Sequence, residues 1–538
     1  MTETSGAATD VHPPSGRHAR PDAPSPARDV ATWAFLAVVA IDVVAGLYYR
    51  FTTTSKMWLD EAQSVNIASK PIRDLPAALR RDGAPPLYYA LLHFWMGVAG
   101  HSDASIRALS GVFAVLALPL MWWVVRRGFG RMEAWAALGF LAASPFAVYY
   151  ATETRMYSLV MLLATAGVGS VIALFAKPTV PRMLLLALIA SLLVYTHYWA
   201  FYLFVPVGVW LVWVALRATG DRRRSGAYGL VSLALAVVAF LPWLPSFLYQ
   251  RAHTGTPWAS APTLASAYGW LAGFIFNQNI HSNDLSLHLE IALLCLIFLL
   301  VFGIAAAPLA RDRMEFRLTG QPRARVLAFV AVGTLAVGWL ASRAASTAFQ
   351  PRYSSVVYPV IVVLVALGIV ALPTRWLQVG VFVVASFAAL WTVHWGAQAQ
   401  RTQAGKVAKV MHASVADKSL VVVCPDQLGP SLLRYANATR YRFVGYPRFS
   451  SPDLVNWVDY KRVVDATSLE AFATRVTRAA GAAPFYLVWS QGYGFHEVCS
   501  NLRDELTRVS GRTPSTLVIA KKYVFYQSMN LLEYPPTR

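Results

Sequence analysis

Long apolar runs are the feature that most constrains how this chain folds. Between residues 30 and 395, stretches of about 20 residues with few charges follow one another, and a helix of that length crosses the hydrocarbon core of a bilayer. Soluble domains carry about a quarter charged residues, whereas this chain carries only 14% and is 56% hydrophobic. The sequence therefore predicts a polytopic α-helical membrane protein rather than a set of water-soluble domains.

About eleven membrane helices are predicted. The first, at 30–49, is too long for a signal-peptide core and has no clear small-residue cleavage site, so we expect it to be retained. The segment before it, 1–29, is rich in Pro, Ala, Ser and Arg and is predicted to be disordered. The other predicted spans are 105–125, 132–151, 156–176, 183–201, 202–217, 226–246, 286–308, 326–343, 354–372 and 376–395.

Positive charge sets the predicted orientation of these spans. Arginines precede the first span, and basic clusters recur in alternate loops, including 126–131, 217–224 and 311–325. Because Lys and Arg concentrate in cytoplasmic loops, we expect a multi-pass protein of the plasma (inner) membrane with a cytoplasmic N-terminus and an extracytoplasmic C-terminus. The net charge of +20 is then explained by topology, and a nucleic-acid partner is not expected.

Three long segments are predicted on the extracytoplasmic side. Two of them, 51–104 and 247–285, are loops of a membrane domain that covers 30–396. The third, 397–538, follows the last span and has the length of a small domain of its own.

The C-terminal segment is predicted to be an α/β domain, because its apolar residues occur in short strand-like runs and in amphipathic patterns. Predicted strands lie at 419–424, 485–489, 516–520 and 522–525, and predicted helices at 431–436 and 498–510. Cys424 and Cys499 fall in this domain, where an extracytoplasmic environment permits a disulfide between them. Cys295 lies in an apolar run and is expected to be a buried hydrophobe.

Polar and aromatic residues gather at the predicted outer ends of the spans. Each group alone has an ordinary explanation, such as a helix cap, an interfacial turn or a headgroup contact. Polar residues collected at one membrane level nevertheless indicate a site, here one with a general base, cations suited to phosphate, and aromatic rings. The groups are Trp58-Leu-Asp60-Glu61, Asp82-Gly-Ala-Pro-Pro-Leu-Tyr88-Tyr89, Glu153-Thr-Arg155-Met-Tyr157, His197-Tyr198 and Arg352-Tyr353.

In the order in which these motifs occur, the chain resembles glycosyltransferases of the GT-C superfamily. The resemblance is to the group of protein O-mannosyltransferases and aminoarabinose transferases, glycosyltransferase family 39, and it covers roughly residues 31–375. It implies the GT-C fold. It also implies transfer of a sugar from a polyprenyl-phosphate carrier to an acceptor on the outer face of the membrane.

The resemblance implies roles for the motif residues. Asp60 would be the catalytic base, Glu61 its neighbour in the acidic motif, and Glu153 the second acidic position of the catalytic set. Arg155 and Arg352 would lie near the donor phosphate together with His197. The other residues predicted to bind substrate are Asp82, Tyr88, Tyr157, Tyr198 and Tyr353.

One position departs from the family pattern, since Ala84 stands where these enzymes often have His. The departure leaves open whether a metal takes part. If one does, Mg²⁺ or Mn²⁺ held by Asp60, Asp82 or Glu153 is expected, since these ions prefer oxygen ligands. If none does, arginine side chains must neutralise the leaving phosphate, which their fork geometry suits.

Mannose is the expected donor sugar, because polyprenyl-phosphate mannose is a common donor in the resembling group, and arabinofuranose, glucose and aminoarabinose remain open. The acceptor is an envelope glycan such as a lipoglycan, a lipid, or a protein Ser/Thr. In the C-terminal domain, Trp489, Tyr493 and Phe495 either stack on sugars or fill the domain's own core.

Two other classes of protein compete with a transferase. A lipid-linked sugar transporter or flippase would place polar groups near the bilayer midplane, often within inverted repeats. Here the carboxylates lie at helix exits and no repeat is visible, which favours the enzyme. An inactive envelope scaffold is the third interpretation, and Ala84 is the one feature that favours it.

Overall fold

The computed structural model describes most of the chain. The described residues are 26–256, 259, 261–263, 273–274, 286–310, 313–316, 322–491 and 497–537. Three predictions therefore lie wholly or largely outside them: disorder over 1–25, most of the loop 247–285, and the roles of Tyr493 and Phe495.

A bundle of helices forms the membrane domain. Each predicted span corresponds to one helix, except that 132–151 corresponds to the bent pair α6 (Arg131–Ala143) and α7 (Pro145–Ala151). Among the described residues, seven helices are long and apolar enough to cross a membrane, and an eighth span is obtained if this bent pair is counted as one. Shorter apolar helices account for the remaining predicted spans, so the prediction of a polytopic helical membrane protein is confirmed. The helices are α1 (Pro26–Tyr49), α2 (Leu59–Ala68), α3 (Leu75–Asp82), α4 (Leu87–Ala99), α5 (Asp103–Gly128), α6 (Arg131–Ala143), α7 (Pro145–Ala151), α8 (Tyr157–Ala176), α9 (Val180–Thr196), α10 (Trp199–Arg217), α11 (Gly220–Phe240), α12 (Leu244–His253), α13 (Ser286–Ala305), α14 (Pro322–Ala344), α15 (Tyr358–Ala371) and α16 (Arg375–Gln398).

Helix boundaries differ from the predicted ones at three places. α1 begins at Pro26, so the last four residues of the segment predicted to be disordered are helical. The predicted span 132–151 is bent by 55° between α6 and α7, because Ser144 caps α7 and Pro145 occupies its first turn. The fifth and sixth predicted spans separate at His197, whose extended backbone ends α9, rather than at residue 201.

The first long loop folds into three short helices, α2 to α4. On α4 the apolar residues Leu91, Phe94 and Val98 are exposed, and their spacing of three and four places them on one face. Tyr88 and Leu92 on the other face are buried. An apolar face that the protein leaves exposed is typical of a helix in contact with the membrane.

The C-terminal region is an α/β domain, as predicted. Its main sheet has the strand order β5-β4-β6-β9-β7, in which β4, β5 and β6 are parallel and β9 is antiparallel to both β6 and β7. A separate parallel pair joins β3 to β8. The strands of the C-terminal domain are β3 (Gln400–Thr402), β4 (Leu420–Cys424), β5 (Arg442–Gly445), β6 (Phe485–Trp489), β7 (Ser515–Val518), β8 (Phe525–Gln527) and β9 (Asn530–Tyr534). The first two strands of the chain, β1 (Ala306–Ala310) and β2 (Arg313–Phe316), form a hairpin between α13 and α14. The helices are α17 (Ala404–Ser414), α18 (Gly429–Ala436), α19 (Tyr460–Ala466), α20 (Leu469–Ala480) and α21 (Val498–Ser510).

Local sequence explains most of this domain. Every residue of β4 and β6 is buried, which is why both strands are continuous apolar runs rather than alternating ones. The predicted strand at 516–520 corresponds to β7 with shifted ends. The predicted strand at 522–525 is wrong, because residues 522–524 form a turn and only Phe525 belongs to β8. Strands β3, β5 and β9 and helices α17, α19 and α20 were not predicted from the sequence.

The C-terminal domain rests on the first long loop of the membrane domain. The side-chain amide of Gln63 forms two hydrogen bonds with the backbone of Val455, at 3.0 and 3.1 Å. At the start of α5, Asp103 accepts from Arg434 and from the hydroxyl of Tyr435, each at 2.6 Å. These contacts fix the domain above α2 and α5, so residues from both domains share one surface.

A disulfide joins Cys424 to Cys499, with a Cα–Cα distance of 5.6 Å. Both cysteines are buried, and the bond attaches the start of α21 to the end of β4. Cys295 is a free thiol on an exposed surface of α13, which corrects the prediction that it is buried. The exposed side chain lies within an apolar membrane helix, where lipid is its environment.

Replacement of both Cys424 and Cys499 by alanine is expected to destabilise the C-terminal domain. The bond closes a loop of 75 residues, and the chain-entropy model assigns about 4 kcal/mol to a loop of that size. Thermal unfolding of the purified full chain, with limited proteolysis as the probe, checks the change. Cys295→Ala is the control and should leave the transition unchanged. An equal transition in both variants would contradict a stabilising bond.

Candidate active site

Asp60 and Glu61 are adjacent residues on the first turn of α2, where the helix dipole favours carboxylates. Successive residues on a helix point about 100° apart, and these two side chains enter different environments. The side chain of Asp60 is 19% exposed, whereas that of Glu61 is 0% exposed. The acidic motif therefore supplies one partly exposed carboxylate and one fully buried carboxylate.

Glu61 is held by arginines from two distant segments. Arg107 of α5 donates from Nε and Nη2 to the two carboxylate oxygens, each at 2.7 Å, and Arg401 of β3 lies 3.5 Å away. The backbone N–H of Thr154 donates to the same carboxylate at 3.1 Å. Burial alone would raise the pKa of Glu61, but the arginines outweigh it and lower this pKa. Glu61 is thus an ionised residue that fastens α2 to α5 and β3.

Asp60 is paired with Arg352, whose Nη1 lies 3.5 Å from the Asp60 Oδ2. Arg352 belongs to the short 3₁₀ helix that precedes α15, and its side chain is largely buried at 11% exposure. The guanidinium also lies over the ring of Tyr353, 5.5 Å from the centroid. An acid and a cation from distant segments of the membrane domain therefore meet at a partly exposed position.

Glu153 lies in the break between α7 and α8 and is buried. Its Oε1 accepts from the indole N–H of Trp58 at 2.9 Å, and within the described part of the chain its Oε2 has no hydrogen-bond partner. Burial raises the pKa of Glu153 to about 7; Arg401 lowers it, and the carboxylates of Glu61 and Asp60 add to the increase. Glu153 is therefore a carboxyl group able to hold a proton near neutral pH.

Asp82 and Arg155 form a second polar group beside α2. Asp82 accepts from Gln63 and from the Tyr89 hydroxyl, both at 3.1 Å. Arg155 donates to the same Tyr89 oxygen and to Ser64, both at 3.2 Å. Burial raises the pKa of Asp82, although Arg155 opposes the rise. Arg155 also interacts electrostatically with Asp60, so this group belongs to the same charged surface.

The rings of Tyr157, His197 and Tyr353 lie in a row. The centroid of His197 is 5.9 Å from that of Tyr157 and 5.6 Å from that of Tyr353. Burial, with a smaller effect from the charges of Arg155 and Arg352, lowers the pKa of His197 to about 3. Its Nδ1 accepts from the Trp199 backbone N–H at 3.2 Å, which places the proton of the neutral ring on Nε2. His197 can therefore donate a hydrogen bond but does not supply a positive charge.

Tyr88 and Tyr198, two predicted substrate-binding residues, support the walls of the site. The Tyr88 hydroxyl is fully buried and pairs with Ser110 at 2.9 Å. The Tyr198 hydroxyl donates to Gln250 and accepts from Trp243. The amide of Gln250 in turn donates to the Leu79 and Ala84 carbonyls. These bonds position the loop that carries Asp82.

Three site residues were missed by the sequence analysis: Arg107, Arg401 and Tyr526. Tyr526 of β8 contacts the ring of Trp58 edge to face at 5.1 Å and interacts electrostatically with Arg352 and Asp60. The pairing of β3 with β8 places Arg401 and Tyr526 side by side. A charge inside a predicted span was an available signal for Arg107. No sequence signal pointed to Arg401 or Tyr526.

The acidic residues do not fit a divalent-metal site. Within the described ranges, no three His, Cys, Asp or Glu side chains are grouped as metal ligands. Asp60 faces Arg352, and Glu153 and Asp82 accept from neutral donors.

A polar cavity of about 190 Å³ lies next to the Glu61–Arg107 pair. Arg50, Lys56, Asp103, Arg107 and Thr152 are among its lining residues.

The fold is shared with solved membrane-protein structures of low sequence identity. ArnT from Cupriavidus metallidurans matches with a TM-score of 0.55 in the apo state and 0.54 when bound to undecaprenyl phosphate, at 13% identity, over 94% of this chain and 98% of that chain. An oligosaccharyltransferase from Archaeoglobus fulgidus, in complex with Zn and sulfate, matches with a TM-score of 0.50 at 13% identity, over 84% of this chain and 67% of that chain. The chain is therefore a polytopic membrane protein with the GT-C fold, as the motif resemblance predicted.

A family model matches part of the chain. Residues 83–244 match the model described as dolichyl-phosphate-mannose-protein mannosyltransferase. No curated protein matches the chain by sequence. The family match and the fold together support a glycosyltransferase of the GT-C superfamily, which confirms the resemblance inferred from the motifs.

Arg107→Met is expected to destabilise the protein strongly, because Glu61 would stay buried without its bidentate partner. Removing one member of a buried ion pair typically costs about 3–5 kcal/mol. The apparent Tm of the purified full chain checks this, with Arg73→Met as the control because the side chain of Arg73 is 86% exposed. Adding Glu61→Gln to Arg107→Met should recover part of the loss. Equal Tm values for Arg107→Met and Arg73→Met would contradict the role given to Glu61.

Glu153 is expected to make stability depend on pH. Its pKa of about 7 in the folded protein lies above the ordinary value of 4.5. Between these values the folded state keeps a proton that the unfolded state has lost, so stability falls as pH rises through this window. Glu153→Gln retains an acceptor for Trp58 but cannot ionise. Its apparent Tm should therefore fall less than that of the wild type between about pH 5 and pH 8, and identical pH profiles would refute the assignment.

Proposed function

We propose that this protein is an inverting glycosyltransferase that moves mannose from a polyprenyl-phosphate carrier to an acceptor of the cell envelope. The observation that carries the proposal is the pairing of Asp60 with Arg352 at the junction of the two domains. A general base and a cation for phosphate are the two groups that the reaction requires. The proposed acceptor is a glycan, lipid or protein on the extracytoplasmic side.

In the proposed reaction, Asp60 takes the proton of the acceptor hydroxyl as that oxygen bonds to the anomeric carbon. The bond from the anomeric carbon to the phosphate oxygen breaks, and polyprenyl phosphate leaves with the electron pair. One displacement inverts the configuration at the anomeric carbon. Arg352, which is 3.5 Å from Asp60 in the structure, would turn to the donor phosphate and free Asp60 to act as the base. A positioned base contributes typically about 10²–10⁴-fold to the rate.

We propose that arginines, rather than a metal ion, neutralise the leaving phosphate. Arg352 and Arg155 both interact electrostatically with Asp60, which places two cations near the base. His197, as a neutral ring, would add a hydrogen bond from Nε2. Glu153 would remain protonated over part of the neutral range and so would not repel the phosphate.

The donor assignment draws on the comparisons. The matching family model is described by dolichyl-phosphate-mannose, which supports mannose on a polyprenyl-phosphate carrier. ArnT, which shares the fold, binds undecaprenyl phosphate, and a carrier of that class suits a chain whose site lies at the ends of membrane helices. Tyr526 is 46% exposed and packs edge to face on the buried ring of Trp58. The Tyr526 ring interacts electrostatically with Asp60 and would pack against a sugar. Trp489 is buried in the domain core, so it is not proposed as a stacking residue.

The proposed orientation places the site and the C-terminal domain outside the cytoplasm, with the N-terminus inside, in the plasma or inner membrane. The alternation of basic loops supports this orientation. The disulfide between Cys424 and Cys499 adds support, because disulfides persist outside reducing compartments. A reduced pair in membranes isolated under thiol-trapping conditions would count against this orientation.

Asp60→Asn is expected to lower the transfer rate by at least about 100-fold while the protein stays folded. Purified wild type and variant would be assayed with polyprenyl-phosphate mannose and an envelope extract. Asp74→Asn is the matched control, because Asp74 belongs to the same loop and its side chain is 53% exposed. Its rate should equal that of the wild type. Near-normal transfer by Asp60→Asn would exclude Asp60 as the base.

Two further arms of the assay separate the parts of the proposal. With EDTA, the wild-type rate should be unchanged, and a loss restored by Mg²⁺ or Mn²⁺ would replace the arginine mechanism with a metal-assisted one. If the wild type transfers from a polyprenyl-phosphate arabinofuranose donor but not from the mannose donor, the sugar assignment is overturned while the reaction class stands.

A further inference from the structure

A short turn in the C-terminal domain exposes apolar and basic side chains together. Between β7 and β8, Ile519, Tyr523 and Val524 are 69%, 90% and 56% exposed. Lys521 and Lys522 are exposed in the same turn, and Lys522 donates to Gln491 at 2.8 Å. Single exposed apolar residues are ordinary. Three large exposed apolar side chains beside two lysines, all within six residues, form a patch that suits contact with a membrane surface.

The register of the small parallel sheet places this turn next to the bilayer. Gln400 pairs with Phe525 and Thr402 with Gln527 in a parallel register. The residues that precede Phe525 in the chain therefore lie beside those that precede Gln400. Those residues are the last turn of α16, which ends at Gln398. Because strands rise about 3.3 Å per residue, the turn at 521–524 lies within a few residues' length of the end of a membrane-spanning helix.

Aromatic side chains mark the membrane surface at this level. Trp391 and Trp395 are exposed near the end of α16, and Tyr48 and Phe51 are exposed at the end of α1. Such aromatic residues are typical of the boundary between hydrocarbon and headgroups. Tyr523 and Val524 extend from the C-terminal domain towards the same boundary.

The backbone of the turn is fixed by buried contacts, although its side chains are exposed. The Lys521 carbonyl accepts from the N–H groups of Val524 and Phe525, each at 3.0 Å. The buried amide of Gln403 donates to the Ile519 carbonyl at 2.8 Å and accepts from the Lys521 N–H at 3.1 Å. A turn held in this way can present its side chains to a surface without a further loss of backbone conformational entropy.

We propose that residues 519–524 dock the C-terminal domain onto the bilayer surface on its own side. Ile519, Tyr523 and Val524 enter the interfacial layer, and Lys521 and Lys522 contact the phosphates of anionic lipids. The neighbouring residue Tyr526 lies against Trp58 in the site. Docking therefore holds Tyr526 at the depth from which a membrane lipid enters. The docking proposal does not depend on the proposed reaction.

The test measures the depth of a single nitroxide label in the full chain reconstituted in nanodiscs. Tyr523→Cys in a Cys295→Ala background carries the label, and Ala482→Cys is the control. Ala482 is exposed and precedes β6. It therefore lies at the amino end of the parallel strands, whereas the loop after β5, which contacts Gln63, lies at their carboxyl end. At position 523, collisions with oxygen should exceed collisions with a water-soluble nickel chelate by several-fold, with the reverse at 482. Equal ratios at the two positions would overturn the proposal.

A second measurement tests the lysines. The oxygen-to-nickel ratio at position 523 should be higher in nanodiscs with anionic phospholipid than in purely zwitterionic ones. Lys521→Glu with Lys522→Glu should remove this difference, whereas Lys461→Glu with Arg462→Glu, on the exposed surface of α19, should preserve it. A label at 523 shielded equally from both reagents would indicate contact with protein and would also overturn the proposal.

Discussion

The buried ion cluster of Glu61, Arg107 and Arg401 is the contact on which the rest of the site depends. It joins a helix of the first loop, a membrane-spanning helix and the first strand of the C-terminal domain at one carboxylate. A buried charge is tolerated only when it is fully paired, so these three segments must come together for the protein to fold. Asp60 is the next residue along the chain, and its position is set by the same cluster.

The different roles of the neighbouring residues Asp60 and Glu61 follow from the different solvent exposure of their side chains. Glu61 is inside and its charge is neutralised by arginines, whereas Asp60 is partly exposed and faces a cation that a phosphate could attract. Around them, burial keeps His197 neutral and favours a proton on Glu153. The site thus combines one accessible carboxylate with cations whose charge is not cancelled by further ionised acids, an arrangement that suits the departure of an anionic leaving group.

Local motifs predicted most of the charged side chains of the candidate site. Asp60, Asp82, Glu153, Arg155 and Arg352 each belong to a short sequence pattern, and the structure brings all five into one charged cluster. The motif could not show that Glu61 is buried and Asp60 is not, because two adjacent letters carry no information on burial. Arg401 and Tyr526 were missed, since their approach depends on the pairing of β3 with β8 across the whole C-terminal domain.

The sequence by itself determined the membrane character, the positions of the spanning helices and the α/β nature of the C-terminal region. Each of these follows from hydrophobic patterning within a single segment, which needs no knowledge of distant residues. Only the tertiary structure decided which acid stays partly exposed, which arginines neutralise the other acid, and which side chains the C-terminal domain adds to the site. Those outcomes depend on burial and on pairing between remote segments, because the energy of a charge is set by the groups that surround it in space.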